Sequence, residues 1–196
     1  MIKLVLFDWG DVCGLYNLEV FNTFLRKVGC DASLADGHFK EFKSQFDRDR
    51  LTEEEFWSKL AQKLGFKWHW SLLAQNNKKN LVVNWPLFDY IKELKKKVKV
   101  ALLSNMDKTS IEAIKSEVRL ADYFEQVYFS SEHKTGKLEK AVIDKIINDF
   151  KVKPEEMLFI DDFHGNVDKA KAYGMQTVLF VGVDNLKQKV NALLKH

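Results

Sequence analysis

The chain has 196 residues, 46% of them hydrophobic, with 15 Phe and 5 Trp, which is enough for one full core and a smaller accessory unit. Its 31 basic and 28 acidic residues give a net charge of only +3, which does not favour a nucleic-acid partner. No apolar run approaches the roughly 20 residues that cross a bilayer, and the start does not resemble a secretory signal, so we expect a cytoplasmic protein with no membrane partner. Cys13 and Cys30 lack the spacing of a disulfide framework or a zinc site.

The first predicted element is a strand over residues 2–7 that ends at Asp8. Its side chains are mostly apolar rather than alternating, which is typical of a strand buried on both faces in the middle of a parallel sheet. Such a strand delivers Asp8 and Gly10 to the carboxyl edge of the sheet, where open α/β sheets bind ligands. Because many strands end in an Asp that only begins a turn, Asp8 alone is a weak signal.

Residues 15–85 are predicted to form four helices and no strand, because their apolar residues recur at helical spacing. The predicted helices cover 19–28, 36–46, 53–64 and 71–79. The third has the clearest boundaries, since Thr52 and Glu55 form a capping box and Gly65 can end the helix. We expect this segment to pack on itself and on the mouth of the sheet.

From Pro86 onward, strands and helices alternate, which is typical of a parallel sheet with helices on both faces. The predicted strands cover 98–103, 126–130, 157–160 and 176–181. The predicted helices cover 87–96, 109–116, 141–150, 166–173 and 185–194. The fold class is therefore α/β, a Rossmann-like parallel sheet. We expect residues 1–14 and 86–196 to form this core domain and residues 15–85 an inserted four-helix cap domain.

Polar residues follow four of the predicted strands. They are Asp8, Ser104, Asn105, Ser130, Lys137, Asp161 and Asp162. Because parallel strands share their carboxyl edge, three carboxylates, a hydroxyl and an ammonium can meet in one pocket. Three close carboxylates repel one another and favour a bound Mg²⁺, which prefers oxygen ligands. Together these groups can hold a phosphoryl group while a carboxylate attacks it.

Four motifs, each at a strand exit, carry a resemblance to a known family. They are Asp8-Trp9-Gly10-Asp11-Val12, Leu103-Ser104-Asn105, Lys137 within SEHKTGKLEKAVI, and residues 159–167. In this order they resemble the haloacid dehalogenase superfamily, in the helical-cap branch that includes sugar-phosphate phosphatases and the amino-terminal domains of soluble epoxide hydrolases. The resemblance covers nearly the whole chain. It implies that the Asp8 strand lies between the Ser104 strand and the Asp161 strand.

The resemblance also implies a nucleophile and a metal site. Asp8 is the expected nucleophile, which forms an aspartyl-phosphate. Asp161 and Asp162 are expected to bind Mg²⁺ together with Asp8 and the backbone carbonyl of Gly10. The expected activity is therefore that of a Mg²⁺-dependent phosphatase.

Ser104, Asn105 and Lys137 complete the implied site. Ser104 is expected to bond a phosphoryl oxygen, and Asn105 beside it to help bind the substrate. Lys137 is expected to offset the negative charge on the nucleophile and the phosphate. The expected substrate is a small phosphorylated metabolite, and the cap is expected to select it.

The chain departs from the family pattern at two positions. Most phosphatases of this family carry a second Asp two residues after the nucleophile, as the acid for the leaving alcohol, and here that position is Gly10. Loss of a positioned proton donor typically costs about 10² to 10⁴ in rate. Asp11 could take its place only if a tight turn swung its side chain toward the phosphate. Leu138 replaces the proline that commonly follows the motif lysine, which could loosen the loop that aims Lys137.

Three functions stay open from the sequence. The first is a phosphatase on a small phosphate ester, especially one with a good leaving group. The second is a 2-haloacid dehalogenase, which uses an aspartate ester and no metal, and the Asp161–Asp162 pair argues against it. The third is a binding or regulatory protein that kept the fold and lost the acid at Gly10.

Overall fold

A five-stranded parallel sheet lies at the centre of the computed structural model, which describes residues 1–16, 23, 26, 27, 29, 32–67 and 81–195. The strands of the protein are β1 (Leu4–Phe7), β2 (Gly14–Tyr16), β3 (Leu81–Val83), β4 (Lys99–Ser104), β5 (Gln126–Phe129), β6 (Met157–Asp161) and β7 (Gln176–Leu179). The helices are α1 (Ala32–Phe46), α2 (Glu53–Leu64), α3 (Trp85–Lys95), α4 (Lys108–Glu117), α5 (Ser130–His133), α6 (Lys140–Phe150), α7 (His164–Ala172) and α8 (Val183–Leu193). Short 3-10 turns cover Leu120–Asp122 and Pro154–Glu156.

The strand order of the large sheet is β5-β4-β1-β6-β7. Strand β1 is central, and its last residue, Phe7, lies opposite Leu102 of β4 and Ile160 of β6. The Asp8 strand therefore lies between the Ser104 and Asp161 strands, which confirms the order that the family resemblance implied. All three strands end at the same edge, so the residues that follow them lie side by side.

Both faces of β1 are buried, as its unbroken apolar sequence predicted. Because successive strand residues point to opposite faces, Val5 and Phe7 join one core cluster, and Leu4 and Leu6 join the other. The first cluster includes the apolar residues of α3, α4 and α8, and the second includes those of α6. Helices thus cover both faces of the sheet, which confirms the α/β Rossmann-like class.

Helix α2 forms where its capping signals predict. The Thr52 hydroxyl accepts a hydrogen bond from the Glu55 N–H, and the Glu55 carboxylate accepts one from the Thr52 N–H at 2.7 Å. Gly65 ends the helix with a φ of 71°, a left-handed conformation that glycine adopts without strain. Helix α1 begins at Ala32, four residues earlier than predicted. The predictions for 19–28 and 71–79 fall largely or wholly outside the described residues.

The prediction that residues 15–85 contain no strand is wrong. Strands β2 and β3 pair antiparallel, with Gly14 opposite Val83. Each strand has three residues, too few for an alternating pattern, and the partners are far apart in sequence. Gly14 is required there, because a Cβ atom at this position would lie 2.2 Å from the Trp9 indole Nε1. The segment after β5, predicted as a loop, begins with the short helix α5.

Helices α1 and α2 pack against each other through an aromatic cluster that is separate from the sheet's core. Phe56 is its centre, and its ring lies 4.9 Å from the Phe46 ring and 5.0 Å from the Trp57 ring. The connection between the two helices contacts the loop before α6, where Arg48 bonds Glu139 at 3.1 Å. Among the described helices, none is long and apolar enough to cross a membrane.

Candidate active site

Lys137 links two of the predicted carboxylates at the carboxyl edge of the sheet. Its Nζ lies 2.7 Å from Asp8 Oδ2 and 2.7 Å from Asp161 Oδ2. All three side chains are buried, so water screens these charges little. Burial by itself lowers the pKa of Lys137, but the two carboxylates outweigh it and raise that pKa above its usual value. Lys137 is therefore a fixed positive charge between the two acids.

Both oxygens of the Asp161 carboxylate are already hydrogen-bonded. Oδ1 accepts from the Phe163 N–H at 2.9 Å and from Asn166 Nδ2 at 3.0 Å. Oδ2 accepts from Lys137 Nζ at 2.7 Å and from Asn166 Nδ2 at 3.1 Å. A carboxylate has about four lone-pair directions, so these contacts occupy most of the acceptor capacity of Asp161. This geometry holds Lys137 and the start of α7 in place.

The Asp8 carboxylate is engaged on one oxygen only. Its Oδ1 is buried, and no hydrogen-bond donor among the described residues reaches it. Burial raises the pKa of Asp8, whereas Lys137 and the Ser104 hydroxyl lower it. A buried oxygen without a partner is costly, unless a ligand supplies one. Asp8 therefore presents an open acceptor at the point where the sequence predicts the nucleophile.

Ser104 and Asn105 lie beside Asp8 at the end of β4. Ser104 is buried and its hydroxyl lowers the pKa of Asp8, while Asn105 Oδ1 accepts the backbone N–H of Lys137 at 2.8 Å. Leu138 is buried in the core, and its carbonyl accepts a hydrogen bond from the Tyr173 hydroxyl at 3.3 Å. These bonds fix the lysine loop although proline is absent from position 138. Ser130 is elsewhere engaged, since its hydroxyl accepts the N–H of Met106 at 2.9 Å.

Asp162 is the exposed member of the acidic group. One oxygen from each of Asp8, Asp161 and Asp162 lies within 4.8 Å of the others. Partial burial first, and then the charges of Asp161 and Asp8, raise the pKa of Asp162 to about 6. Three carboxylates against the single ammonium of Lys137 leave an excess of negative charge. The open Asp8 Oδ1 and this excess both fit a divalent cation with oxygen ligands.

In the loop after Asp8, Gly10 occupies the position where most phosphatases of the resembling family have a second Asp. A Cβ atom at Gly10 would have Asp8 Oδ2 as its nearest non-neighbouring atom, at 3.9 Å, so a side chain there would lie beside the Asp8 carboxylate. Asp11 adopts a φ of 49°, which is a left-handed conformation, and its residue is exposed. The Val12 N–H donates to the Trp9 carbonyl at 3.3 Å, so the chain turns tightly through Gly10 and Asp11. The charge of Asp11 also raises the pKa of Asp162.

A pocket of about 270 Å³ opens beside Gly10, between α1, α2 and α4. We call it the aromatic pocket. Its lining residues are Trp9, Gly10, Gly14, Leu15, Phe39, Lys43, Phe46, Glu53, Phe56, Trp57, Leu81, Asn105, Met106, Asp107, Ser110, Ala113 and Ile114. The lining includes Gly10, which is two residues after Asp8, and Asn105, which directly follows Ser104. The pocket and the carboxylates thus share a border.

Sequence reasoning missed three groups that organise the site. Asn166 fixes Asp161, and it lies within the fourth motif, residues 159–167, where no role is predicted for it. Lys43 of α1 bonds Asp107 at 3.2 Å, and Arg48 bonds Glu139 at 3.1 Å. These two pairs join residues far apart along the chain, so no local pattern indicates them.

A parallel sheet that gathers a buried aspartate, a buried lysine and two further acids at one edge is typical of a class of α/β hydrolases. The sequence model of the haloacid dehalogenase-like hydrolases matches residues 2–174, and the chain belongs to this family. The family resemblance drawn from the four motifs is thereby confirmed.

Two curated relatives and one solved structure illustrate the family. The chain is 28% identical to a D-ribitol-5-phosphate phosphatase of Bacteroides thetaiotaomicron, over 90% of this chain and 91% of that protein. It is 23% identical to a drimenol cyclase of Aspergillus calidoustus over 97% of this chain, but it spans only 36% of that protein's length. A family enzyme of B. thetaiotaomicron, crystallised with magnesium and inorganic phosphate, superposes with a TM-score of 0.76 at 25% identity and covers 91% of this chain and 93% of its own.

Proposed function

We propose that this hydrolase is a Mg²⁺-dependent phosphatase that acts on a small phosphate ester through an aspartyl-phosphate at Asp8. The observation that carries the proposal is the Asp8–Lys137–Asp161 bridge, in which a buried ammonium holds one carboxylate oxygen at 2.7 Å while the other oxygen stays open. The similarity to a sugar-phosphate phosphatase and to a phosphate-bound family enzyme supports it.

The proposed reaction has two displacements at phosphorus. In the first, Asp8 Oδ2 attacks the phosphorus, the ester P–O bond breaks, and the alcohol oxygen leaves with the bonding electrons and takes a proton from solvent water. In the second, a water oxygen attacks the phosphorus and passes a proton to solvent, the bond from phosphorus to Asp8 breaks, and the carboxylate and inorganic phosphate are released. Lys137 offsets the charge that gathers on the phosphoryl oxygens, and Ser104 donates a hydrogen bond to one of them.

We assign the cation to Asp8 Oδ1 and to Asp162, with Asp161 and the Gly10 carbonyl as the further predicted ligands. The fit rests on the unpartnered Asp8 Oδ1 and on the excess of carboxylates over ammonium groups. Mg²⁺ at this position supplies positive charge to the phosphoryl oxygens. Because both Asp161 oxygens already accept hydrogen bonds, we assign Asp161 mainly to holding Lys137.

The proposed substrate has a leaving group that departs without strong acid assistance. Gly10 carries no side chain, and an ester of an acidic alcohol needs a proton less than an alkyl ester does. We further propose that residues 15–85 form the cap domain over residues 1–14 and 86–196. In that arrangement α1 and α2 border the aromatic pocket.

Turnover of p-nitrophenyl phosphate and acetyl phosphate, with and without Mg²⁺, tests the proposal. We expect hydrolysis that requires Mg²⁺ and that falls by at least about 10³ in Asp8→Asn, because the nucleophile is lost. Phosphate release equal to that of Asp8→Asn refutes the proposal. Asp162→Asn keeps the nucleophile but removes a proposed Mg²⁺ ligand, so it should raise the Mg²⁺ concentration needed for half-maximal hydrolysis.

A binding or regulatory role is the second candidate. The observation that favours it is that Gly10 stands where most phosphatases of the family have an Asp. Such a protein binds its ligand or partner equally well as the wild type and as Asp8→Asn, and it hydrolyses neither test ester. The dehalogenase alternative is less compatible with the excess of carboxylates around Asp162, which a metal-free site does not use. Halide release from a haloacid is the measurement that supports it.

A further inference from the structure

We propose that the aromatic pocket binds the alcohol half of the substrate and selects an apolar, ring-bearing alcohol rather than a polyol. The inference rests on the proposed phosphatase function, because it names the class of phosphate ester that the same site takes. It sets this chain apart from its relative that acts on D-ribitol 5-phosphate.

The pocket lies where the leaving group of a phosphate at Asp8 extends. Gly10 lines it, and a Cβ atom at Gly10 would be 3.9 Å from Asp8 Oδ2, the oxygen held by Lys137. Asn105, which follows Ser104, lines it from the other strand. A phosphoryl group between Asp8 and Ser104 therefore has the pocket as its neighbouring space.

The lining is predominantly apolar and aromatic. The rings of Phe39, Phe46 and Trp57 surround Phe56, with ring centres 5.8, 4.9 and 5.0 Å from its own. Leu15 also lines the pocket and is 43% exposed, so its apolar surface is open to a ligand. Covering apolar surface of this kind favours a ligand that is itself apolar.

The polar side chains of the lining already bond to protein partners. Lys43 bonds Asp107 at 3.2 Å, and the Ser110 hydroxyl donates to Asp107 at 2.8 Å. Glu53 accepts the Thr109 hydroxyl at 2.9 Å. The hydroxyls of a polyol would have to compete with these bonds, whereas an aromatic ring leaves them intact.

The size of the pocket limits the ligand. An engineered apolar cavity of about 150 Å³ holds benzene in another protein, and this pocket has about 270 Å³. It therefore has room for a single substituted ring or a fused pair.

Calorimetric titration of the Asp8→Asn variant in Mg²⁺ tests the selectivity without turnover. The two ligands are phenethyl phosphate and D-ribitol 5-phosphate, both esters of primary alcohols, so they differ in the alcohol body and not in leaving-group chemistry. We expect phenethyl phosphate to bind at least about tenfold more tightly, the lower end of what one methylene contributes in an apolar pocket. Equal binding, preference for the ribitol ester, or no binding of either overturns the inference.

Filling the pocket provides a second test with a matched control. Ala113 of α4 lines the pocket, whereas Ala192 of α8 is exposed and outside it. Ala113→Phe in the Asp8→Asn background should weaken phenethyl phosphate binding at least tenfold, and Ala192→Phe should change it less than twofold. Unchanged binding in a folded Ala113→Phe variant overturns the inference. If thermal unfolding shows that this variant is not folded, Leu15→Asn replaces it with the same expectation.

Acetyl phosphate separates failure of the inference from failure of the proposed function, because it carries no ring. Mg²⁺-dependent hydrolysis of acetyl phosphate without a preference for phenethyl phosphate refutes only the inference. Selective binding of phenethyl phosphate without hydrolysis of acetyl phosphate refutes the phosphatase function and supports the assignment of the pocket.

Discussion

Replacing Gly10 with Asp is expected to add the proton donor that the described part of the site lacks. The backbone at Gly10 is outside the left-handed region, and the nearest non-neighbouring atom to a Cβ there is Asp8 Oδ2 at 3.9 Å. The substitution therefore meets neither backbone strain nor a clash. The new carboxyl group is expected to lie beside the negative charge of Asp8, which raises its pKa and favours the protonated form that donates.

The size of the effect follows from the chemistry of the leaving group. A positioned acid contributes about 10² to 10⁴ in rate, so Gly10→Asp should hydrolyse phenethyl phosphate at least about 10² faster than the wild type. p-Nitrophenolate leaves readily without a proton, so its ester should gain less than about tenfold. Steady-state kcat/KM on both esters is the measurement.

Gly10→Asn is the matched control, because its side chain has the shape of Asp without the acidic proton. If residue 10 acts as an acid, Gly10→Asp should exceed Gly10→Asn in kcat/KM on phenethyl phosphate by about 10². If both variants change turnover equally, or if p-nitrophenyl phosphate gains as much as phenethyl phosphate, then residue 10 does not act as an acid in this site. Thermal unfolding of both variants verifies that the comparison is between folded proteins.

Three further predictions concern the charges around the site. Lys137→Met should lower the free energy of unfolding in urea by about 3–5 kcal/mol, since it leaves buried carboxylates uncompensated. Adding Asp8→Asn to Lys137→Met should restore part of that stability. Strictly additive effects of the two substitutions would contradict this coupling. The pKa of Asp162 is raised from 3.8 to about 6, so the folded chain binds this proton more tightly than the unfolded chain does. The metal-free protein should therefore lose stability as the pH rises from about 4 to about 6. The same dependence of stability on pH in Asp162→Asn would contradict this prediction. Lys43→Met should cost about 1–3 kcal/mol in urea unfolding, because Asp107 stays buried without its cation, whereas a loss no larger than that of the exposed Lys108→Met argues against this pairing.

The fold was largely predictable because its signals are local. The unbroken apolar run of residues 4–7 predicts a strand covered on both faces, and alternation after Pro86 predicts a parallel sheet. Thr52 and Gly65 mark both ends of α2 through their own backbone contacts. Strands β2 and β3 escaped prediction because three residues show no period and their pairing is distant in sequence.

The residues of the candidate site were predictable from the sequence, but the different contacts that each of them makes were not. Strand exits at one sheet edge indicate that Asp8, Asp161 and Lys137 meet, and their Nζ–O distances of 2.7 Å agree with that expectation. The sequence cannot distinguish adjacent Asp161 and Asp162, although one is buried under four hydrogen-bond contacts and the other is exposed. That difference arises because the Phe163 N–H and the Asn166 side chain, at the start of α7, both donate to Asp161.

The aromatic pocket lay beyond sequence reasoning for a different reason. Aromatic residues at helical spacing in α1 and α2 are more often core than ligand contacts. Phe46 and Phe56 are both, since they stack on each other and also line the pocket. Only the placement of α4 against these helices, through pairs such as Lys43 with Asp107, creates the open space.

Trapping of a phosphorylated enzyme tests the central claim most directly. The wild-type protein is mixed with ³²P-labelled acetyl phosphate in Mg²⁺, quenched in acid, digested and sequenced. The account predicts a hydroxylamine-sensitive label on the peptide that contains Asp8, and no label in Asp8→Asn or in the absence of Mg²⁺. Hydrolysis that proceeds with no labelled enzyme, or a label on any residue other than Asp8, contradicts it.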